Sequence, residues 1–73
     1  MVKTIDIANI AKNIRNLRKS NQLTQEKMAD LLGYSLRQFR RLETKGTTNI
    51  FVINSIAEIF KISALDILAS GMF

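Results

Sequence analysis

At 73 residues with 47% hydrophobic content, the chain has room for one small domain over residues 1–73, near the lower limit at which a single core is stable alone. The absence of cysteine excludes disulfides and thiolate metal sites. The absence of histidine removes the commonest metal ligand and the commonest general base, so neither catalysis nor a metal or other cofactor is expected.

A formal charge of +5 favours an anionic partner, with nucleic acid and an anionic membrane surface both open. The charge is unevenly placed. Between residues 34 and 49, Arg37, Arg40, Arg41 and Lys45 stand against Glu43, whereas residues 50–73 carry Lys61 against Glu58 and Asp66. No uninterrupted apolar run approaches the ~20 residues that span a bilayer, and the first residues lack the basic-then-apolar order of a secretory signal. A soluble, cytoplasmic protein is the expectation.

Residues 1–5 show no clear period and read as a loosely ordered N-terminal lead-in. From Asp6, a helix N-cap, Ile7, Ile10, Ile14 and Leu17 recur at helical spacing with Ala11 on the same face, which predicts an amphipathic helix ending near Ser20 and Asn21. Lys12, Arg15 and Lys19 form its solvated side. Arg18 stands apart from them beside Leu17, in the last turn where the helix dipole favours a cation.

Thr24 caps a second helix, in which Met28, Leu31 and Leu32 make one apolar stripe, and Gly33 follows where a left-handed residue ends many helices. Ser35 restarts the helix and Gln38 completes a Ser-x-x-Gln capping box. Phe39 and Leu42 can face the preceding helix, and Ala29 is small enough for the two axes to cross closely. Leu36, Arg37, Gln38, Arg40 and Arg41 are left pointing elsewhere. This spacing is a helix–turn–helix, and the arginines on its second helix make it a DNA-reading unit.

Residues 44–49 are polar and turn-prone, hence a loop. Asn49 caps a fourth helix carrying Ile50, Phe51, Ile53, Ile56, Ala57 and Phe60, apolar over so much of its surface that it is expected at the centre of the fold. Ser63, with Asp66 at the third position, opens a last helix through Ile67, Leu68 and Ala69. Five helices follow, with no strand pattern, internal repeat or linker. The fold class is all-α.

Residues 7–69 closely resemble the phage-repressor and Cro-type helix-turn-helix proteins, the Xre family, with a lambda-repressor-like DNA-binding domain. The resemblance rests on Leu17-Arg18 ahead of Leu23-Thr24-Gln25-Glu26, then Ala29-Asp30-Leu31-Leu32-Gly33, Ser35 with Phe39, Arg41-Leu42-Glu43, Ile56-Ala57, and Ile62-Ser63-Ala64-Leu65-Asp66-Ile67-Leu68. Two departures are local. Phe39 stands where the family usually has Ile or Val, which suggests slightly opened packing between the central helices. The loop after Glu43 is about one residue short and lacks the family's frequent proline.

The resemblance implies a compact five-helix bundle whose second and third helices form the helix-turn-helix, the third lying in the major groove of double-stranded DNA. Arg37 and Arg41 then become base readers, because a guanidinium makes a bidentate contact to guanine O6 and N7. Leu36 can meet a thymine methyl, and Gln38 either reads adenine or serves only the capping box. Gln25, Tyr34, Ser35, Arg40, Lys45, Thr47 and Thr48 are the implied phosphate contacts, which fix register without selecting sequence. Arg18 and Glu43 correspond to a structural salt bridge.

One domain of this size reads few base pairs, so a homodimer on a palindromic site is implied. Its interface would draw on Phe51, Ile59, Ile62, Leu65 and Leu68, with Met72 and Phe73 from the tail 70–73. Leu65 and Leu68 can equally close the monomer's own core. The implied activity is sequence-specific transcriptional regulation by a small repressor of phage or mobile-element type, with no small-molecule substrate. A restriction-modification controller, an antitoxin-type autoregulator, or a protein-interaction module built on the same fold are the alternatives.

Overall fold

The computed structural model describes residues 6–68. Within them run α1 (Ile7–Ser20), α2 (Gln25–Leu32), α3 (Leu36–Lys45), α4 (Ile50–Phe60) and α5 (Ala64–Leu68), with no strand among the described residues. The lead-in 1–5 and the tail 70–73 lie outside the described residues, as does Ala69 of the last helix.

Each of the first four helices starts on a side chain that accepts from a backbone N–H left over by the helix itself. Asp6 Oδ1 accepts from Ala8 N at 2.9 Å, Thr24 Oγ1 from Lys27 N at 3.0 Å, Ser35 Oγ from Gln38 N at 3.1 Å and Asn49 Oδ1 from Phe51 N at 2.9 Å. At α5, Ser63 Oγ accepts from Leu65 N at 3.2 Å while Asp66 Oδ2 accepts from Ser63 N at 3.3 Å.

The central helix is α1, not α4. It packs on α3 and on α5, while α4 meets α5 and, more thinly, α2. Ile10, Ile14 and Leu17 of α1 close on Met28 and Ala29, Phe39 and Leu42, Ile53, Ile56 and Ala57, and Ile67. Asn13, buried on α1, donates from Nδ2 to the Ile67 carbonyl at 2.9 Å and so ties α1 to α5 with a bond that no local pattern announces. The wide ring of Phe39 is fully enclosed in this cluster.

Three expectations are corrected. Leu31 falls off the apolar stripe: α2 buries Met28 and Ala29 and half-buries Leu32, which turns Leu31, 46% exposed, out of the core. On α4 only Ile53, Ile56 and Ala57 are fully buried, with Val52 and Phe60 packed partly against the core, while Ile50 is half-exposed and Phe51 is 78% exposed. The third helix continues through Thr44 and Lys45, shortening the following loop. Thr44 Oγ1 donates to the Arg40 carbonyl at 2.8 Å within the helix, and the chain leaves only at Gly46.

Gly46 has φ 74, and a Cβ there would lie 2.4 Å from the Ile7 carbonyl oxygen. The end of α3 and the start of α1 therefore touch backbone to backbone, which only glycine permits.

Candidate nucleic-acid interface

The turn between α2 and α3 is set by its own backbone. Gly33 adopts φ 73 in the left-handed region, its N–H donates to the Asp30 carbonyl at 3.1 Å, and Tyr34 N–H reaches the Ala29 carbonyl at 2.8 Å. Ser35 then opens α3, and the box closes when Gln38 Oε1 accepts from Ser35 N at 2.8 Å. The third helix is thereby held at its first turn, where a groove-reading helix presents its side chains.

Phe39, Leu42 and Glu43 define the buried side of α3. At 3.6 residues per turn the opposite side belongs to Arg37, Arg41 and Thr44, spaced four and three apart. All three are exposed. Thr44 was not singled out by the sequence because the polar run suggested a loop. Its place on the outward row follows once the helix is seen to continue, although its hydroxyl proton is committed to the Arg40 carbonyl.

The flanks of α3 differ. On one side Tyr34, Gln38, Arg41, Lys45 and Thr47 line a single open cleft of about 330 Å³ against the start of α4. Two cations and three further hydrogen-bonding side chains thus border one depression. Thr47 Oγ1 is used within the loop, where it accepts from Asn49 N at 3.0 Å, and Thr48 is exposed but does not line the cleft. Lys45 reaches this cleft from the last turn of α3, not from the loop.

On the other flank stand Leu36, Arg40 and Gln25. Leu36 is half-buried where it was expected at an exposed start, because it lies in the angle between α2 and α3. Arg40 is exposed and donates from Nε to Gln25 Oε1 at 3.3 Å. Gln25 Nε2 in turn donates to Glu43 Oε1 at 3.0 Å. Glu43 is 3% exposed and accepts from Arg18 on both carboxylate oxygens: Arg18 Nε pairs with Oε2, and Arg18 NH2 reaches Oε1 at 3.3 Å. The guanidinium is further fixed by NH1 donating to the Leu23 carbonyl at 2.8 Å. No buried side-chain nitrogen or oxygen is left without a partner among the described residues.

The residues named for self-association form a looser set. Phe51 and Leu65 are 78% and 71% exposed, whereas Ile62 and Leu68 pack partly against the core and Ile59 is half-buried. Met72 and Phe73 lie outside the described residues. No helix among the described residues is long and apolar enough to cross a membrane.

The architecture is a compact five-helix, lambda-repressor-like bundle with α2 and α3 as the helix-turn-helix. It is shared with the restriction-modification controller protein C.AhdI from Aeromonas hydrophila at a TM-score of 0.75 and 22% identity, covering 85% of this chain and 96% of that one. It is shared as well with the hypothetical transcription factor NHTF from Neisseria at a TM-score of 0.79 and 19% identity, covering 97% of this chain and 88% of the other. At these identities the likeness is one of fold. No protein-family model and no curated protein sequence matches the chain.

Proposed function

We propose that this protein is a sequence-specific, double-stranded DNA-binding transcriptional regulator, a small homodimeric repressor of phage or mobile-element type acting on a palindromic operator. The observation that carries the reading is the row of Arg37 and Arg41 on the exposed side of a helix whose buried side is fully engaged. Two guanidinium groups one turn apart suit guanine O6 and N7 along a major groove. Leu36 offers its open half to a thymine methyl. Gln38 has its carbonyl committed to Ser35 N–H, so it presents amide donors to the groove. Tyr34, Lys45 and Thr47 on one flank with Thr48 in the following loop, and Ser35 and Arg40 on the other with Gln25 behind Arg40, meet backbone phosphates and set the register.

Self-association rests on Phe51 and Leu65, large apolar side chains left open on α4 and α5, with Ile59, Ile62 and Leu68 as further candidates and Met72 and Phe73 as candidates outside the described residues. Two copies related by a two-fold axis would place their third helices in successive major-groove turns. A second reading, a controller of restriction-modification genes, is favoured by the likeness to C.AhdI over nearly its whole length.

A mobility-shift titration against salt tests the DNA reading and separates it from a protein-interaction module. Affinity for duplex DNA is expected to fall by ~0.9 log unit per contacted phosphate for each tenfold rise in salt. Affinity that is absent, or indifferent to salt, contradicts it.

A further inference from the structure

The polar chain on the α2 flank has a direction. Glu43 is buried and fixed by Arg18, and Gln25 Nε2 turns inward to donate to it at 3.0 Å. With the amide nitrogen inward, Gln25 Oε1 faces Arg40 and accepts from its Nε at 3.3 Å. The reversed amide would set an oxygen against a carboxylate and an amino group against a guanidinium, both repulsive, so the charges at the two ends select one orientation. Leu36, four residues before Arg40, is half-buried and lines the same cleft of about 290 Å³ with Gln25 and Arg40, and its side chain has no hydrogen bond to offer the amide.

We propose that Gln25 is a positioning residue: it holds Arg40 by Nε, leaves the two terminal amino groups of that guanidinium for a backbone phosphate, and contributes to DNA binding through Arg40. The inference rests on the DNA-binding reading above. A long, rotamer-rich side chain that is already restrained loses less entropy when it meets its phosphate. The restraint is anchored in the core, since Gln25 is itself oriented by the buried Glu43.

The test is a double-mutant cycle on affinity for a random-sequence duplex pool, with wild type, Gln25→Met, Arg40→Ala and the double variant titrated against salt. Thermal unfolding is recorded for each, and Gln25→Ser repeats the cycle if the methionine variant fails to fold. Arg40→Ala is expected to lower the log–log salt slope by ~0.9. Gln25→Met is expected to weaken binding about three- to tenfold with Arg40 present and by less than about twofold without it, the loss expected for one hydrogen bond. A merely structural role would lower affinity by the same factor in both backgrounds, and that result, or no loss in either, overturns the proposal. Wild type failing to bind the pool would remove the signal from all four proteins and overturn the DNA reading with it.

Discussion

The α2–α3 pair and the α4–α5 pair close on one core but leave different surfaces outside. In the first, α3 leaves cations: Arg37, Arg40, Arg41 and Lys45 are exposed, while its one acid, Glu43, is taken inward and paired, and the exposed acids Glu26 and Asp30 lie on α2. The second leaves hydrocarbon, with Phe51 and Leu65 mostly open and Lys61 balanced by Glu58 and Asp66. Geometry is also held differently. The turn and third helix are fixed by a glycine turn, a two-way capping box and a polar chain reaching Arg18, whereas α5 is a helix of five residues held by its Ser63 and Asp66 cap, by apolar packing and by the Asn13 bond. A surface that must present particular atoms to a rigid partner needs polar bonds to orient them; a surface that only has to exclude water does not.

The contrast can be broken most severely at its anchor. Glu43→Ala leaves the Arg18 guanidinium, whose side chain is 12% exposed, without its carboxylate, and the expected loss of folding stability is about 3–5 kcal/mol in a thermal or urea melt. Unchanged stability would show that the chain does not brace α3.

The two positive-φ glycines come next, and they should not behave alike. Gly46→Ala meets the Ile7 backbone as well as an unfavourable φ and is expected to cost about 3 kcal/mol, whereas Gly33→Ala enters open space and is expected to cost about 1 kcal/mol, the left-handed penalty alone. Equal losses in denaturant melts would contradict the close approach of α1 to the end of α3.

The smallest expected effect on folding lies across the molecule. Phe51→Ser with Leu65→Ser removes two mostly exposed side chains, so stability of the fold should stay within about 0.5 kcal/mol. Sedimentation velocity should nevertheless show the protein shifted to monomer. A mass that does not change would take these residues out of the interface and sharpen the view that the tail carries it.

Much of this layout was legible in the sequence because local rules wrote it. Asp6, Thr24, Ser35 and Asn49 announce helix starts through side-chain chemistry, and Gly33 announces a left-handed turn through the absence of one. The failures are of another kind. Periodicity marks an apolar face without saying how wide a sector its neighbours will cover, so Leu31 was assigned to the buried stripe and turns out exposed, and α4 was expected at the centre although Ile50 and Phe51 stay open. The extent of α3 was hidden because Thr44 reads as loop-forming, yet its hydroxyl can bond back to Arg40 and stay helical. Partners distant in sequence, Asn13 with Ile67 and Gln25 with Arg40, have no local signature. They exist only once the helices have packed.

The central claim is that the side of α3 bearing Arg37 and Arg41 reads bases. Selection of bound duplexes from a random pool, carried out in parallel with wild type, Arg37→Ala and Arg41→Ala, addresses it directly. The account predicts a palindromic site with guanines in each half, and a preference lost by about 1–3 kcal/mol at a different base position in each variant while the rest of the site is retained. Identical sites enriched by all three proteins would contradict it.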